Sequence, residues 1–197
     1  MNYNLDKVYV VDIETDGFLD KLTKLHVLSC AYKDGNGQWN VKSTTKKEDI
    51  RTLFENPNNI IVGHFFLGFD KPALQKLYPD IEFNAFIIDS LGISWYLYDE
   101  RRSHGLEAWG EDFGVPKPKI EDWDSLTYEE YKERCEEDSK INTNLWVKQL
   151  RELRDIYDND KDIIRIIRYL NFKIECLYDQ ERLKVIVTGK PRGSCIF

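Results

Sequence analysis

Apolar and polar positions change period several times along this chain, and each change marks an element. Residues 7–13 run β-branched and aromatic (Val8, Tyr9, Val10, Val11, Ile13) up to the turn residues Asp16 and Gly17, which predicts a buried strand. Residues 25–32 and 38–43 predict two more. Between them lies Asp34-Gly35-Asn36-Gly37, whose glycines and Asn tolerate the positive φ that a hairpin turn needs. Pairing of the first strand with this hairpin would make a three-stranded antiparallel start. Residues 46–54 then read as a short helix and residues 59–63 as a short buried strand, giving β-β-β-α-β.

From Asp70 onward the pattern is helical. Residues 70–78 open near Pro72, tolerated in a first turn because those amides have no intrahelical acceptor. Residues 89–98 and 104–113 predict two further helices. Thr127-Tyr128-Glu129-Glu130 matches a capping box, with Leu126 and Tyr131 placed as a hydrophobic staple, so a long helix begins there and runs to about residue 157. Ile163, Ile166, Ile167, Leu170, Ile174 and Leu177 recur at helical spacing in a last helix over residues 161–178.

Composition narrows the class. The 197 residues are 42% hydrophobic and 32% charged, enough for one core beneath a solvated surface, and no stretch reads as an interdomain linker. Residues 1–183 read as one domain and residues 184–197 as a tail holding two glycines and a proline. A net charge of −7 argues against gripping long nucleic acid by charge neutralisation, but leaves open an acidic enzyme that holds one strand end. Cys30, Cys135, Cys176 and Cys195 are widely spaced without a C-x-x-C pair, which suggests neither a zinc site nor a disulfide framework and fits a reducing compartment. The N-terminus lacks a leader pattern and no apolar run approaches the roughly 18 to 20 residues of a membrane span, so a soluble cytoplasmic protein is expected.

The chemistry concentrates in four acids. Asp12 and Glu14 stand two apart at the end of the first strand, where a period of two turns both to one face. Crowded carboxylates repel, and a bound cation would offset this; a pair of solvated acids at a strand exit would look the same. In the long helix, Tyr131, Cys135, Ile141, Leu145 and Leu150 trace an apolar stripe, and Asp138 falls on it. A carboxylate there needs a cation, a metal or a rim of water. Asp70 follows the apolar Phe65-Phe66-Leu67-Gly68-Phe69 and opens a helix, which also suits an N-cap. Together the four form a hard oxygen donor set suited to Mg²⁺ or Mn²⁺ and to two-metal phosphodiester hydrolysis.

At these residues the chain resembles the DEDD exonucleases, and more closely the proofreading exonuclease domain of phage family A DNA polymerases. Asp12-Ile13-Glu14-Thr15-Asp16-Gly17 resembles the first motif, the segment from Gly63-His64-Phe65 through Phe69-Asp70 to Leu74 the second, and Cys135-Glu136-Glu137-Asp138 the third. Ile88-Asp89-Ser90-Leu91 and the stretch from Ser103-His104 to Trp109-Gly110 are similar to the segments that follow the second motif in phage polymerases. The resemblance implies an RNase H-like α/β fold, a mixed five-stranded sheet with helices on both faces. It also implies attack from the 3′ end of single-stranded DNA with release of nucleoside monophosphates, and two bound ions. Asp12, Glu14 and Asp138 would hold the first ion, Asp12 would bridge to the second, and Asp70 would bind through water. Thr15, His64, Phe65 and Phe69 become candidates for substrate contact.

Two positions depart from the family pattern. Arg134 stands four residues before Asp138, where one branch of the family carries a water-orienting Tyr, and Glu133 stands where the other branch carries His. Arg stays protonated and is no base; it can stabilise charge on the scissile phosphate, or pair with Asp138 and compete with metal. Phe65 stands where the family usually has Asn, and reads either as a stacking surface or as core. His64 and His104 also read as structural hydrogen-bonding groups, and Trp109 as core. Arg101-Arg102 and Lys117-Pro118-Lys119 read as backbone contacts or as solvated loop charge. The departures keep alternatives open: a weakened or inactive module that binds a DNA end or a polymerase chain, or an exonuclease of short oligoribonucleotides.

Overall fold

The computed structural model describes residues 3–115 and 126–178. Its sheet has five strands, β1 (Tyr9–Thr15), β2 (Leu25–Lys33), β3 (Trp39–Thr44), β4 (Ile60–Gly63) and β5 (Phe86–Asp89), in the order β3-β2-β1-β4-β5. β1 pairs antiparallel with β2, and β2 with β3, whereas β1–β4 and β4–β5 are parallel, so the sheet is mixed as expected. The helices are α1 (Lys47–Glu55), α2 (Asp70–Leu77), α3 (Ser90–Leu97), α4 (Leu106–Asp112), α5 (Tyr128–Ile156) and α6 (Asp160–Tyr178).

Period-two alternation along β1 splits the core between the two faces. Val11 and Ile13 pack with Ile50 and Phe54 of α1 and Ala73 and Leu74 of α2. Val8 and Val10 point the other way, against Trp146, Leu150 and Leu153 of α5 and Ile163 and Ile167 of α6. β4 is buried at all four positions, which suits a parallel inner strand covered on both faces.

The start of α5 follows its sequence signal closely. Thr127 and Glu130 form both halves of the capping box, and Leu126 packs against the cluster of Val27, Tyr131 and Cys135. The β2–β3 turn is narrower than expected. Of its four residues only Gly37 takes a positive φ, at 78°, while the Asp34 carboxylate accepts from the amides of Asn36 and Gln38 and does the rest.

Periodicity did not separate β5 from the helix after it. Four apolar-rich residues fit a strand or a buried helical turn equally, and Asp89, read as helical, instead ends β5 and caps α3 by accepting from Leu91 N. Cys30 and Cys135 are free thiols. Among the described residues no helix is long and apolar enough to cross a membrane. The tail at residues 184–197, Cys195 and the Lys117-Pro118-Lys119 stretch lie outside the described residues.

Candidate active site

The alternation that sends Val8 and Val10 toward α5 carries Asp12 and Glu14 to the same side, at the end of the central strand where the apolar contacts stop. What brings α5 to them is a set of polar contacts to β1 and β2. Ser29, which pairs with Asp12 across the ladder, donates to the Cys135 carbonyl at 2.7 Å and shares a short hydrogen bond with Ser139. The Cys135 thiol donates to the Asp12 carbonyl at 3.2 Å, and Ser43 on β3 donates to Glu136 Oε1 at 2.6 Å. With α5 so held, Asp138 projects toward β1 and is only 6% exposed. One carboxylate oxygen from each of Asp12, Glu14 and Asp138 lies within 4.8 Å of the other two.

This donor set fits a hard divalent ion. It is all carboxylate, and the soft group beside it stays out: burial, with the charges of Asp12 and Glu14, pushes the Cys135 thiol well above its ordinary range, so it remains a protonated donor rather than a thiolate ligand.

Asp70 lies outside that three-acid cluster but within electrostatic reach of it. It is the first residue of α2, whose N-cap is Phe69 with no side-chain bond, so the capping role open to Asp70 in the sequence is not the one it takes. Asp70 is buried. Desolvation first, then the charges of Asp89 and Glu14, hold its carboxyl well above the usual range, with backbone hydrogen bonding at Asp70 and Ile13 opposing.

The turn that delivers Asp70 is unusual. Phe65 has φ 58°, the left-handed region that costs an ordinary L residue roughly 1–2 kcal/mol and that Asn or Gly occupies more easily. Its ring folds over Gly68, where a Cβ would come within 2.1 Å of it, and Phe66 excludes a side chain at Gly63 in the same way. Phe65 therefore packs within its own turn. Phe69 lies half-buried against the α1–α2 core, and His64 Nδ1 is 2.9 Å from Ser90 Oγ, the structural role open to it. Thr15 donates to the Gly17 carbonyl at 2.9 Å.

Arg134 pairs with Glu14: Nε and Oε1 are 3.1 Å apart, and the side chains are 16 and 14% exposed. A solvent-facing Arg is thereby excluded. His104 bonds Ser94 at 2.8 Å, and Trp109 is core. Arg101 lies 3.7 Å over the Trp109 ring and pairs with Asp112, so it braces α4.

Two residues escaped the sequence reading. Asp89 has no exposed surface and accepts from the amides of Phe65, Leu67 and Leu91; its place in the Ile88–Leu91 segment, an acid after an apolar run, was the available signal. Phe18 is 80% exposed in the loop just after Glu14. Asp16 clamps that loop by accepting from Thr23 N, Thr23 Oγ1 and Lys24 N, bonds that hold its carboxyl down at about 2. An aromatic in a turn, beside Asp-Ile-Glu, was the available clue.

No protein-family model matches the chain, and no curated protein sequence matches it. Solved structures do. A nuclease in its apo form gives a TM-score of 0.59 at 14% identity, covering 95% of this chain and 88% of that one. Brucella melitensis NrnC gives 0.58 in its complex with pGG and 0.54 with bound Mg²⁺, each at 17% identity over 98% of this chain and 91% of that one. E. coli Exonuclease I in complex with a dT13 oligonucleotide gives 0.51 at 12% identity, over 76% of this chain and 43% of that one. Likeness at these identities shows the fold, and the fold is RNase H-like: a mixed five-stranded α/β sheet with helices on both faces, shared with nucleases.

Proposed function

We propose that the protein is a metal-dependent 3′-to-5′ exonuclease of the DEDD type, acting on the 3′ end of single-stranded DNA. The carrying observation is that Asp12 and Glu14 from β1 and Asp138 from α5 converge within 4.8 Å on a fold shared with nucleases. Asp12, Glu14 and Asp138 would hold one Mg²⁺ or Mn²⁺, and Asp12, with Asp70 through water, a second. When bound, such ions supply a water acidic enough to attack at neutral pH and positive charge for the departing oxygen.

In the reaction water forms a bond to the terminal phosphorus and the bond from phosphorus to the 3′ oxygen breaks. A nucleoside 5′-monophosphate leaves, and the departing 3′ oxygen of the shortened strand gains the proton that the water gives up, becoming its new 3′ hydroxyl. Arg134 cannot take the water's proton; it brings positive charge for the phosphate oxygens. Phe18, exposed in the loop that follows β1, offers a face on which a base can stack. Thr15, His64, Phe65 and Phe69 are the remaining candidates for contact with the strand.

Two specific observations favour other readings. The likeness to NrnC bound to pGG, over nearly the full length of both chains, supports short oligoribonucleotides as substrate. The Arg134–Glu14 pair supports a silenced module that binds a strand end without cutting it. A separate polymerase chain as partner, and a phage-encoded protein working in host cytoplasm, belong to the proofreading form of the first reading. Co-purification without such a chain counts against that form.

The experiment is 3′-end shortening of a 5′-labelled single-stranded DNA oligomer, run beside a diribonucleotide, with Mg²⁺, Mn²⁺ or chelator. Stepwise shortening that needs metal and is lost in Asp12→Ala is the expected result. Cleavage of the diribonucleotide alone moves the substrate to RNA, and no cleavage of either, with the strand still bound, selects the silenced module.

A further inference from the structure

We propose that Asp89 is a positioning residue for Asp70, its carboxylate holding the left-handed turn that delivers Asp70 to the site. This rests on the reading above, in which Asp70 serves the second ion. Asp89 ends β5 beside Gly63, the last residue of β4, so its side chain stands at the point where the chain leaves the sheet for the turn. One carboxylate oxygen accepts from Phe65 N at 3.0 Å and Leu91 N at 3.1 Å, and the other from Leu67 N at 3.0 Å. Two of the three donors belong to the turn, and one of those two is the residue in the left-handed conformation.

The path from there to Asp70 is short and hydrogen-bonded throughout. Phe65 O accepts from Gly68 N at 3.1 Å and from Phe69 N at 3.0 Å, and Phe66 O accepts from Lys71 N at 2.9 Å. A displacement at Phe65 or Leu67 therefore reaches Asp70 through contiguous backbone.

Capping α3 alone would not require this residue. A cap needs one acceptor, which Ser, Thr or Asn supplies without burying a charge. Asp89 is 0% exposed, and only a carboxylate presents two acceptor oxygens and no donor to three converging amides. An Asn there keeps one oxygen and turns an NH₂ group against an amide N–H. The residue type is thus matched to the turn as well as to the helix. Asn171, whose Oδ1 accepts from Asp89 N at 3.2 Å and whose Nδ2 donates to Ile87 O at 2.7 Å, anchors the strand end from α6.

The test is Mn²⁺ titration calorimetry on the full chain, with amide hydrogen exchange alongside, for wild type, Asp89→Asn, Asp70→Ala and Asp89→Asn combined with Phe65→Gly. Wild type should show two binding events, and Asp70→Ala only the tighter one. Asp89→Asn should leave the tighter event within about twofold, weaken the other at least about tenfold, and speed exchange at the Phe65 and Leu67 amides while β1 is unaffected. Phe65→Gly should recover part of the loss, since Gly takes the left-handed region freely. A second event unchanged in Asp89→Asn, or both events weakened together with no recovery from Phe65→Gly, overturns the proposal. A single event in wild type overturns the two-ion reading instead. Exchange at the Phe65 and Leu67 amides then decides the role of Asp89 by itself, and unchanged exchange overturns it.

Discussion

Arg134 on α5 and Glu14 at the end of β1 form an ion pair inside the acidic cluster, Nε to Oε1 3.1 Å. Both side chains are largely buried, so the attraction between them is screened less than that of a surface pair. A fixed cation thus sits on a carboxylate that a metal would use.

Arg134→Gln removes that internal competitor. We expect it to tighten divalent-ion binding about tenfold, which corresponds to about 1.4 kcal/mol. It should also lower the melting temperature in chelator, because Glu14 then loses the counter-charge beside it. Calorimetry and thermal melts with and without Mg²⁺ read both effects. Unchanged affinity would show that Arg134 leaves Glu14 at no cost.

Glu14→Gln probes the pair from the other side. It removes the carboxylate that Arg134 faces, and breaking a buried pair at one partner typically destabilises by about 3 kcal/mol or more. Glu14→Gln should therefore melt lower than Asp12→Gln in the absence of metal, with equal melting temperatures contradicting the pairing.

Asp12→Ala should slow release of the terminal nucleotide by at least about a thousandfold, roughly 4 kcal/mol of barrier. Its circular dichroism should match wild type, since Asp12 is half-buried and contributes to the ladder through its backbone. Residual metal-dependent shortening near the wild-type rate would remove Asp12 from the chemistry.

Stability in chelator should fall as pH rises from about 4 to about 6. Burial pushes the Asp89 carboxyl up to about 6 from its ordinary 3.8, against the pull of its amide donors, and Asp70 moves the same way. A carboxyl whose pKa is higher when folded holds its proton longer in the native state. Native stability is then greatest below the unfolded value and declines until the folded value is passed. A shift of this size corresponds to about 3 kcal/mol. Asp16 and Asp80, both held down at about 2, act in the opposite sense but below that window. Thermal melts between pH 4 and 7 check the slope, and a melting temperature that climbs across it would contradict the burial of Asp89 as an ionised group.

Phe18→Ala should raise KM for a single-stranded oligomer several-fold to about a hundredfold, as expected for loss of roughly 1–3 kcal/mol of base stacking, with kcat nearly unchanged. A fall in kcat alone would instead place Phe18 in the reaction step.

Much of this protein could be read from its residues because the relevant signals are local. Alternation along residues 8–14 already turned Asp12 and Glu14 to one face, and the Thr127–Glu130 capping box located the start of α5. The apolar stripe of α5 marked Asp138 as a carboxylate in a core position, which is where it lies. These readings need only the periods of strand and helix and the chemistry of helix ends.

Other features depended on contacts far apart in the chain. The Phe86–Asp89 run is too short for periodicity to tell strand from helix, and its pairing with β4 decided it. Spacing on α5 put Arg134 on the side of Asp138, yet it also pairs with Glu14, 120 residues away in sequence and brought close by the Ser29 and Cys135 contacts that seat the helix. The left-handed Phe65 and the carboxylate that holds it were invisible for the same reason. The sequence by itself determined which residue types lie on which face of each strand and helix, since that follows from backbone geometry. Only the tertiary structure decided which of those faces meet, because an ion pair or a carboxylate-held turn depends on the distance between segments, which no local period encodes.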